Sequence, residues 1–276
     1  MLIAHSRVDG LQKIGSLVSL DPLRGLHLTS CQVKPQDWLR QKATLEAADV
    51  VLFPQSWQVN VLHHVLRKAL FPNVASYRLG WDKVEMTRAF EFAVPEAVPP
   101  TLILPANPVA AEEAADTLGF PLVVKHPRHS MGRGVELIED MSQLLRWTDN
   151  ANLLYAQAYL ENDGDVRVVW VGREVVAAYW RRNPGSFHNN VARGGQVDFS
   201  SIPQNALELV ERTALRLGID HAGFDVILVD GHPFLLEFNV LFGNEALNQA
   251  GISLTAPILR YLQATYGGIH PTPRAA

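Results

Sequence analysis

Short apolar runs alternate with stretches of helical periodicity along most of the chain, and this alternation most constrains the fold. A helix is predicted over 108–118, with Asn107 as its N-cap, and an apolar strand follows over 121–125. Strands are also predicted on both sides of residues 172–173 and of residues 230–232, which indicates two antiparallel hairpins. The pattern predicts an α/β fold, of the α+β kind where the strands are antiparallel.

The composition narrows the class of protein. Hydrophobic residues make up 47% of the 276 residues, which is enough for a sizeable core and excludes an intrinsically disordered chain. The net charge of −4 gives no reason to expect nucleic acid or an anionic membrane as a partner, since both favour a basic face. Cys31 is the single cysteine, which excludes an internal disulfide. Because there is neither a membrane-length apolar run nor a signal peptide, we expect a soluble cytoplasmic protein.

Three oxygen-bearing side chains lie near the end of the second predicted hairpin. Glu237 and Asn239 are two residues apart on one strand, so they share a face. If residues 230–232 form a three-residue loop, Asp225 lies opposite Glu237, and a hard cation such as Mg²⁺ would offset the repulsion between the two carboxylates. In the alternative, Asp225 caps a turn and Glu237 lies on a solvated face; a register shift of one residue would separate the two.

A second candidate site is Lys125 and the loop after it. Lys125 ends an apolar strand, where a lysine can hold a phosphate as a point charge. Gly132 and Gly134 let backbone amides approach an anion, which suggests a flap that closes over phosphates. The lysine precedes the glycines, so the loop is not a Walker A motif. The alternative is an ordinary hairpin with a solvated lysine.

A third candidate is the basic cluster of Arg181, Arg182 and Arg193, with Asn190 among them. Neighbouring residues on a strand point to opposite faces, so only one of Arg181 and Arg182 needs to reach a site. Arginine there could neutralise a phosphoryl group during its transfer. Taken alone, the cluster is better explained as a solvated rim.

The order of these features resembles the ATP-grasp superfamily and, within it, the RimK-like carboxylate-amine ligases that act on glutamate and other amino acids. The resemblance covers roughly residues 80–245. The matching stretches are 81–83, 121–125, 132–135, 157–160, 164–167, 175–178, 181–182, 190–195, 222–225 and 236–239.

The resemblance implies a fold of three domains: an N-terminal α/β domain over 1–88, a central lid domain over 89–157 and a C-terminal antiparallel-sheet domain over 158–276. It also implies an ATP-dependent ligase that joins a small-molecule or peptide carboxylate to an amine through an acyl phosphate. A small-molecule kinase on the same site and a nucleotide-binding module without catalysis remain alternatives. A homo-oligomer is compatible with the resemblance.

Roles for individual residues follow from the resemblance. Those implied to bind ATP are Lys83 and Lys125 with Gly132 and Gly134 at the phosphates, the backbone of Ala158, Tyr159 and Leu160 at adenine, Asp165 at ribose and Asn190 near the γ-phosphate. Those implied to hold two Mg²⁺ (or Mn²⁺) ions are Asp225, Glu237 and Asn239. Arg181 or Arg182, together with Arg193, would stabilise the acyl phosphate.

The sequence departs from the family pattern at three places. Ala158 stands where the hinge usually carries glutamate, and His188 stands where the polar loop usually carries arginine. After Asn239 the chain reads Val-Leu-Phe-Gly over 240–243 instead of the usual Ser-x-Pro-Gly. These changes bear on substrate choice more than on ATP binding.

Overall fold

The computed structural model describes residues 2–6, 29–33, 38–48, 50–128, 134–183 and 196–266. For the first two ranges only the backbone is described. Three of the predicted site residues, Gly132, Asn190 and Arg193, lie outside the described residues, as does His188.

The N-terminal part of the chain forms a parallel sheet flanked by helices. Its elements are β1 (Leu2–Ser6), β2 (Thr29–Val33), α1 (Lys42–Ala47), β3 (Val50–Leu52), α2 (Ser56–Asn60, continued by a π-helical turn over Val61–Val65), β4 (Ala69–Phe71), α3 (Val74–Leu79) and α4 (Lys83–Ala93). The strand order is β2-β1-β3-β4. All three pairings are parallel, which is typical of a sheet whose strands are joined by helical crossovers.

The central part forms an antiparallel sheet with two helices and a core of its own. Its elements are β5 (Thr101–Pro105), α5 (Pro108–Leu118), β6 (Leu122–Lys125), β7 (Val135–Ile138), α6 (Met141–Asp149) and β8 (Leu153–Ala158), with strand order β5-β8-β6-β7. The prediction for α5 is confirmed: the Asn107 side chain accepts a hydrogen bond from Ala110 N at 2.9 Å, and the helix ends at Gly119. Buried alanines of α5, including Ala111 and Ala114, pack against this sheet.

The C-terminal part is built on a second antiparallel sheet. Its elements are β9 (Asp165–Val171), β10 (Glu174–Arg182), β11 (Gln196–Asp198), α7 (Gln204–Leu217), β12 (His221–Val229), β13 (His232–Asn239), α8 (Glu245–Gln249) and α9 (Thr255–Tyr266). The strand order is β11-β10-β9-β12-β13. Both predicted hairpins, β9–β10 and β12–β13, are confirmed.

The turn between β12 and β13 differs from its prediction. It contains two residues, Asp230 and Gly231, with φ values of 51° and 78°. The prediction of a three-residue loop is wrong, because Asp-Gly favours the tight turn whose twist matches that of the flanking strands. A β-bulge next to Asp225 then shifts the register by one residue, and Asp225 pairs with Glu237 as predicted.

Helix α4 connects the three parts of the molecule. Its Phe90 lies in a core cluster with Trp170 and Phe238 of the C-terminal sheet. On the other side, Thr87 Oγ1 lies 2.7 Å from the hydroxyl of Tyr155 in the central sheet. The predicted domain boundary at residue 88 falls inside this helix, so the three-domain division stays a prediction. Among the helices described, none is both long and apolar enough to cross a bilayer.

Candidate active site

One face of the C-terminal sheet carries a row of charged side chains. The strand register places Arg181 opposite Asp165, Arg167 opposite Asp225, and Asp225 opposite Glu237. Directly opposed residues point to the same face of a sheet. The charges therefore run across four neighbouring strands, from β10 to β13.

Four of these side chains form a buried ion-pair network. The Arg181 Nε lies 2.6 Å from Asp165 Oδ1, and its Nη2 lies 2.9 Å from Asp225 Oδ1. Arg167 holds Asp225 in a fork, with Nε at 2.5 Å from Oδ1 and Nη2 at 3.2 Å from Oδ2. Exposure of all four residues is 7% or less. Two cations and two anions compensate one another, as buried charges require.

The environment of this network shifts the pKa of each acid in a different direction. Burial raises the pKa of Asp165 above its usual range, although Arg181 opposes the shift. Burial would also raise the pKa of Asp225, but Arg167 and Arg181 together hold it below the usual range. Asp225 is therefore a firmly ionised carboxylate between two guanidinium groups.

Lys83 approaches the same row of charges from the first turn of α4. Asp82 caps this helix by accepting a hydrogen bond from Val84 N at 2.9 Å. The Lys83 Nζ lies 3.4 Å from Glu237 Oε2, and the Glu237 side chain keeps 28% of its surface exposed. Asn239 Nδ2 donates to Glu237 Oε1 at 3.2 Å, as expected for side chains on one face of β13.

Lys125 ends β6 of the central sheet, within electrostatic range of Glu237. Its Nζ donates to Gln157 Oε1 at 2.7 Å and lies 5.5 Å from the centre of the Tyr155 ring. Burial lowers the pKa of Lys125 to about 8; Glu237 opposes the shift and Lys83 adds to it. Two lysines from separate elements thus lie near one carboxylate, an arrangement suited to a polyanionic ligand.

Other predicted site residues occupy different positions. Ala158, Tyr159 and Leu160 follow one another at the end of β8 and are half-buried. The Ala158 N–H donates to Pro100 O at 2.9 Å, so it is already used within the protein. Gly134 precedes β7 with a φ of 68°, a conformation that favours glycine.

The two neighbouring arginines lie on opposite faces of β10, as the alternation predicts. Arg181 belongs to the buried network. Arg182 Nη1 lies 3.3 Å from Asp198 Oδ2, and its guanidinium carbon lies 4.4 Å from the centre of the Trp180 ring. Asp165, predicted to bind ribose, accepts a hydrogen bond from Arg181 Nε at 2.6 Å.

Two residues of the site, Arg167 and Gln157, were not given a role from the sequence. Arg167 is two residues after Asp165 on a strand, so the period-two alternation could have placed both on one face. Gln157 anchors Lys125 and donates through Nε2 to Thr101 Oγ1 at 2.7 Å. Gln157 lies in the family-matching stretch 157–160, but its partners come from other strands, so no local pattern assigns it this role.

Two of the three predicted metal ligands are placed to bind a hard cation. Glu237 and Asn239 offer a half-exposed carboxylate and an amide, which are ligand types that Mg²⁺ takes. Asp225 is enclosed by Arg167 and Arg181. Within the described ranges there is no group of three or more His, Cys, Asp or Glu residues arranged to hold a metal. Glu237 and Asn239 are thus the residues that fit a cation.

The sheets and the site between them define the ATP-grasp fold class. The chain belongs to the family of the RimK-like ATP-grasp domain, whose model matches residues 93–262. The solved structure of the RimK domain protein ATP-grasp from Sphaerobacter thermophilus shares this fold, with a TM-score of 0.68 at 17% identity; 95% of this chain and 99% of that chain are covered. The predicted family and fold are confirmed.

Curated relatives match a little over half of the chain. The probable alpha-L-glutamate ligase of Citrobacter koseri is 32% identical over 163 residues, which cover 56% of this chain and 53% of the relative. The ribosomal protein bS6--L-glutamate ligase of Escherichia coli (strain K12 / DH10B) is 33% identical over 153 residues. They cover 52% of this chain and 51% of the relative. The chain thus spans about half the length of the curated relatives it matches.

Proposed function

We propose that this protein is an ATP-dependent carboxylate-amine ligase that forms an amide bond through an acyl phosphate. The observation that carries the proposal is the convergence of Lys83 and Lys125 on Glu237, from two elements outside the C-terminal sheet. Membership of the RimK-like ATP-grasp family supports it. A triphosphate would lie between the central and C-terminal sheets, with the lysines at its phosphates.

In the first step, a substrate carboxylate oxygen attacks the γ-phosphorus and the bond from that phosphorus to the bridging oxygen of ADP breaks. Lys83 and Lys125 hold the phosphate chain, because a protonated amine stabilises its negative charge. A Mg²⁺ ion on Glu237 and Asn239 would neutralise charge on the phosphates when bound. The backbone after β8, over 158–160, would receive the adenine.

In the second step, an amine attacks the acyl carbon, the carbon–oxygen bond to phosphate breaks, and the proton lost by the amine leaves with phosphate or solvent. Arg181 and Arg193 would stabilise the charge on the acyl phosphate and on the tetrahedral intermediate. The flap with Gly132 and Gly134 would exclude water, which would otherwise hydrolyse the acyl phosphate. A contact from Asp165 to ribose would require its ion pair with Arg181 to open.

We propose amino acids or the termini and side chains of peptides as substrates. The relatives named as glutamate ligases support this class, and one of them is named for ribosomal protein bS6. The segment over 240–243, which departs from the family pattern, lies directly after the proposed cation residues. Its buried Val240 and Phe242 pack in two core clusters of the molecule.

The test is to incubate the purified protein with ATP, Mg²⁺ and a panel of amino acids and short peptides, and to measure ADP, free phosphate and amide product. We expect ADP and phosphate in equal amounts, dependent on both substrates. Glu237→Ala should abolish turnover, whereas Glu174→Ala, which removes an exposed carboxylate of the same sheet, should retain it. A stable phosphorylated product without amide would indicate a kinase and overturn the proposal.

A further inference from the structure

Lys125 is a buried lysine whose hydrogen-bond partner carries no charge. The residue is 6% exposed, and its Nζ donates to Oε1 of Gln157 at 2.7 Å. Gln157 is itself 3% exposed. An ammonium group has three N–H donors, and this contact uses one of them. The position of the buried ammonium is therefore set by a neutral amide rather than by a carboxylate.

The amide of Gln157 can adopt only one orientation in this environment. The hydroxyl of Thr101 donates to Pro99 O at 2.7 Å, and a carbonyl oxygen can only accept. Since its single proton is used there, Thr101 Oγ1 accepts the bond at 2.7 Å from Gln157 Nε2. The donor end of the amide thus faces Thr101, and its acceptor end faces Lys125.

The same network reaches the helix that carries Lys83. Gln157 Nε2 lies 3.4 Å from the hydroxyl of Tyr155, which lies 2.7 Å from Thr87 Oγ1. All three of these side chains are buried. Thr87 is four residues after Lys83 in α4, so the two share a face of the helix. Both lysines proposed to bind phosphate are therefore attached to elements that a buried chain of hydrogen bonds holds together.

A neutral acceptor suits a lysine that must bind an anion. A carboxylate at position 157 would form an ion pair with Lys125, and an incoming phosphate would have to displace it or bind beside a like charge. The Gln157 amide orients the ammonium and leaves its charge uncancelled. Low exposure strengthens the attraction between this charge and a phosphate, because little water remains to screen it.

We propose that Gln157 is the positioning residue for Lys125: its amide holds the ammonium where the nucleotide phosphates bind, without cancelling its charge. Thr101 fixes the orientation of this amide, and Tyr155 with Thr87 links it to α4. The inference rests on the proposed function, because it assumes that phosphates bind at Lys125. It gives Gln157 a role that acts through the lysine and not through a contact with the nucleotide.

The test is a double-mutant cycle in the full chain, measured as affinity for a non-hydrolysable ATP analogue with Mg²⁺ by calorimetry. Methionine replaces each side chain, because it is long and flexible and makes no comparable hydrogen bond. Lys125→Met should weaken binding about 10- to 100-fold, and Gln157→Met at least about fivefold. The double variant should match Lys125→Met within about twofold, because Gln157 acts only through the lysine. Losses that multiply in the double variant would overturn the inference.

Gln58→Met is the matched control for the loss of a buried amide. Gln58 is 1% exposed, and its Oε1 accepts from Gln55 N at 2.9 Å at the N-terminal cap of α2. This variant should lower the melting temperature and leave nucleotide affinity unchanged. If Gln157→Met also lowered the melting temperature but kept wild-type affinity, Gln157 would have a structural role alone, and the inference would fail.

Gln157→Glu is a second variant, which keeps the length and the acceptor of glutamine. Its carboxylate would pair with Lys125, so we expect affinity for the analogue to fall at least about fivefold at neutral pH. Wild-type affinity in this variant would overturn the inference. A wild-type chain that binds no nucleotide would refute the proposed function, on which the inference rests. Losses that multiply in a chain that does bind the analogue would overturn the inference alone.

Discussion

Lys83 Nζ lies 3.4 Å from Glu237 Oε2, and this contact joins the first turn of α4 to the last strand of the C-terminal sheet. The two residues are 154 positions apart in the chain, yet they meet where the proposed nucleotide phosphates and cation would lie. In the proposed function, ATP with its metal replaces this ion pair: the lysine turns to the phosphates and the carboxylate to the cation.

Lys83→Met should therefore weaken ATP binding without unfolding the protein. A charge-assisted hydrogen bond contributes about 1.5–3 kcal/mol, so we expect KM for ATP to rise about 10- to 100-fold. Calorimetry with ADP or an ATP analogue checks the affinity directly. Lys42→Met removes an exposed lysine that pairs with Glu46 and should leave KM unchanged. Equal KM values for the Lys83 variant and the wild type would contradict the role of Lys83.

Lys125 should make ATP binding depend on pH. Its pKa is lowered to about 8 by burial, with Glu237 opposing the shift, so the amine loses its proton near this pH. Since only the protonated lysine attracts phosphate, KM for ATP should be constant below pH 7 and should rise above pH 8 by up to about tenfold per pH unit. Steady-state kinetics between pH 6.5 and pH 9.5 measures the profile.

The control for this profile is Lys125→Arg, which keeps its charge over the whole range. Its KM for ATP should not rise above pH 8, whatever its value at neutral pH. A rise of the same size in the arginine variant would show that another group causes it.

The hairpin β12–β13 shows which part of the site the sequence could predict. The predicted pairing of Asp225 with Glu237 is confirmed, although the loop has two residues rather than three. The bulge next to Asp225 compensates for the wrong loop length, and no residue pattern predicts this bulge. Local propensity predicts a turn, whereas a bulge depends on how neighbouring strands pack.

The partners of Asp225 were less accessible to sequence reasoning. Arg167 and Arg181 reach it from two other strands, and their contacts depend on the order β10-β9-β12, which is a property of the whole sheet. The same holds for Lys125, whose lowered pKa arises from burial between sheets. Residue types indicated the chemistry, but burial and strand order determine which charges meet.

Gly223→Ala tests the space that Arg167 occupies. The added Cβ would lie 2.8 Å from Arg167 Nη1 and 3.1 Å from the Phe242 ring, so the guanidinium must move away from Asp225. We expect a loss of about 1–3 kcal/mol in the free energy of unfolding, typical of overpacking a filled site, and a lower kcat. Gly243→Ala is the matched control, because a Cβ there meets no atom within 4 Å. Urea unfolding and steady-state kinetics measure both effects, and identical behaviour of the two variants would contradict the argument.

Asp220 should make the stability of the fold depend on pH. Asp220 is buried and directly precedes β12. Its Oδ1 accepts hydrogen bonds from Asn73 N at 2.9 Å and from Ser76 Oγ at 3.1 Å. These bonds connect α3 to the C-terminal sheet. Burial raises its pKa from 3.8 to about 6, so the folded state binds this proton more tightly than the unfolded state does. The contribution of Asp220 to stability therefore falls as pH rises from about 4 to about 6 and stays low above that range.

Asp220→Asn cannot ionise, and its amide oxygen can accept the same two hydrogen bonds. Relative to this variant, the wild type should lose on the order of 2–3 kcal/mol of unfolding free energy between pH 4 and pH 7, because each pKa unit corresponds to about 1.4 kcal/mol. Urea unfolding at several pH values measures the difference. Asp230→Asn, a change in the exposed turn between β12 and β13, should follow the wild-type profile. If the difference between wild type and Asp220→Asn were constant over this range, Asp220 would have an ordinary pKa in the folded protein, and the link between its burial and stability would be refuted.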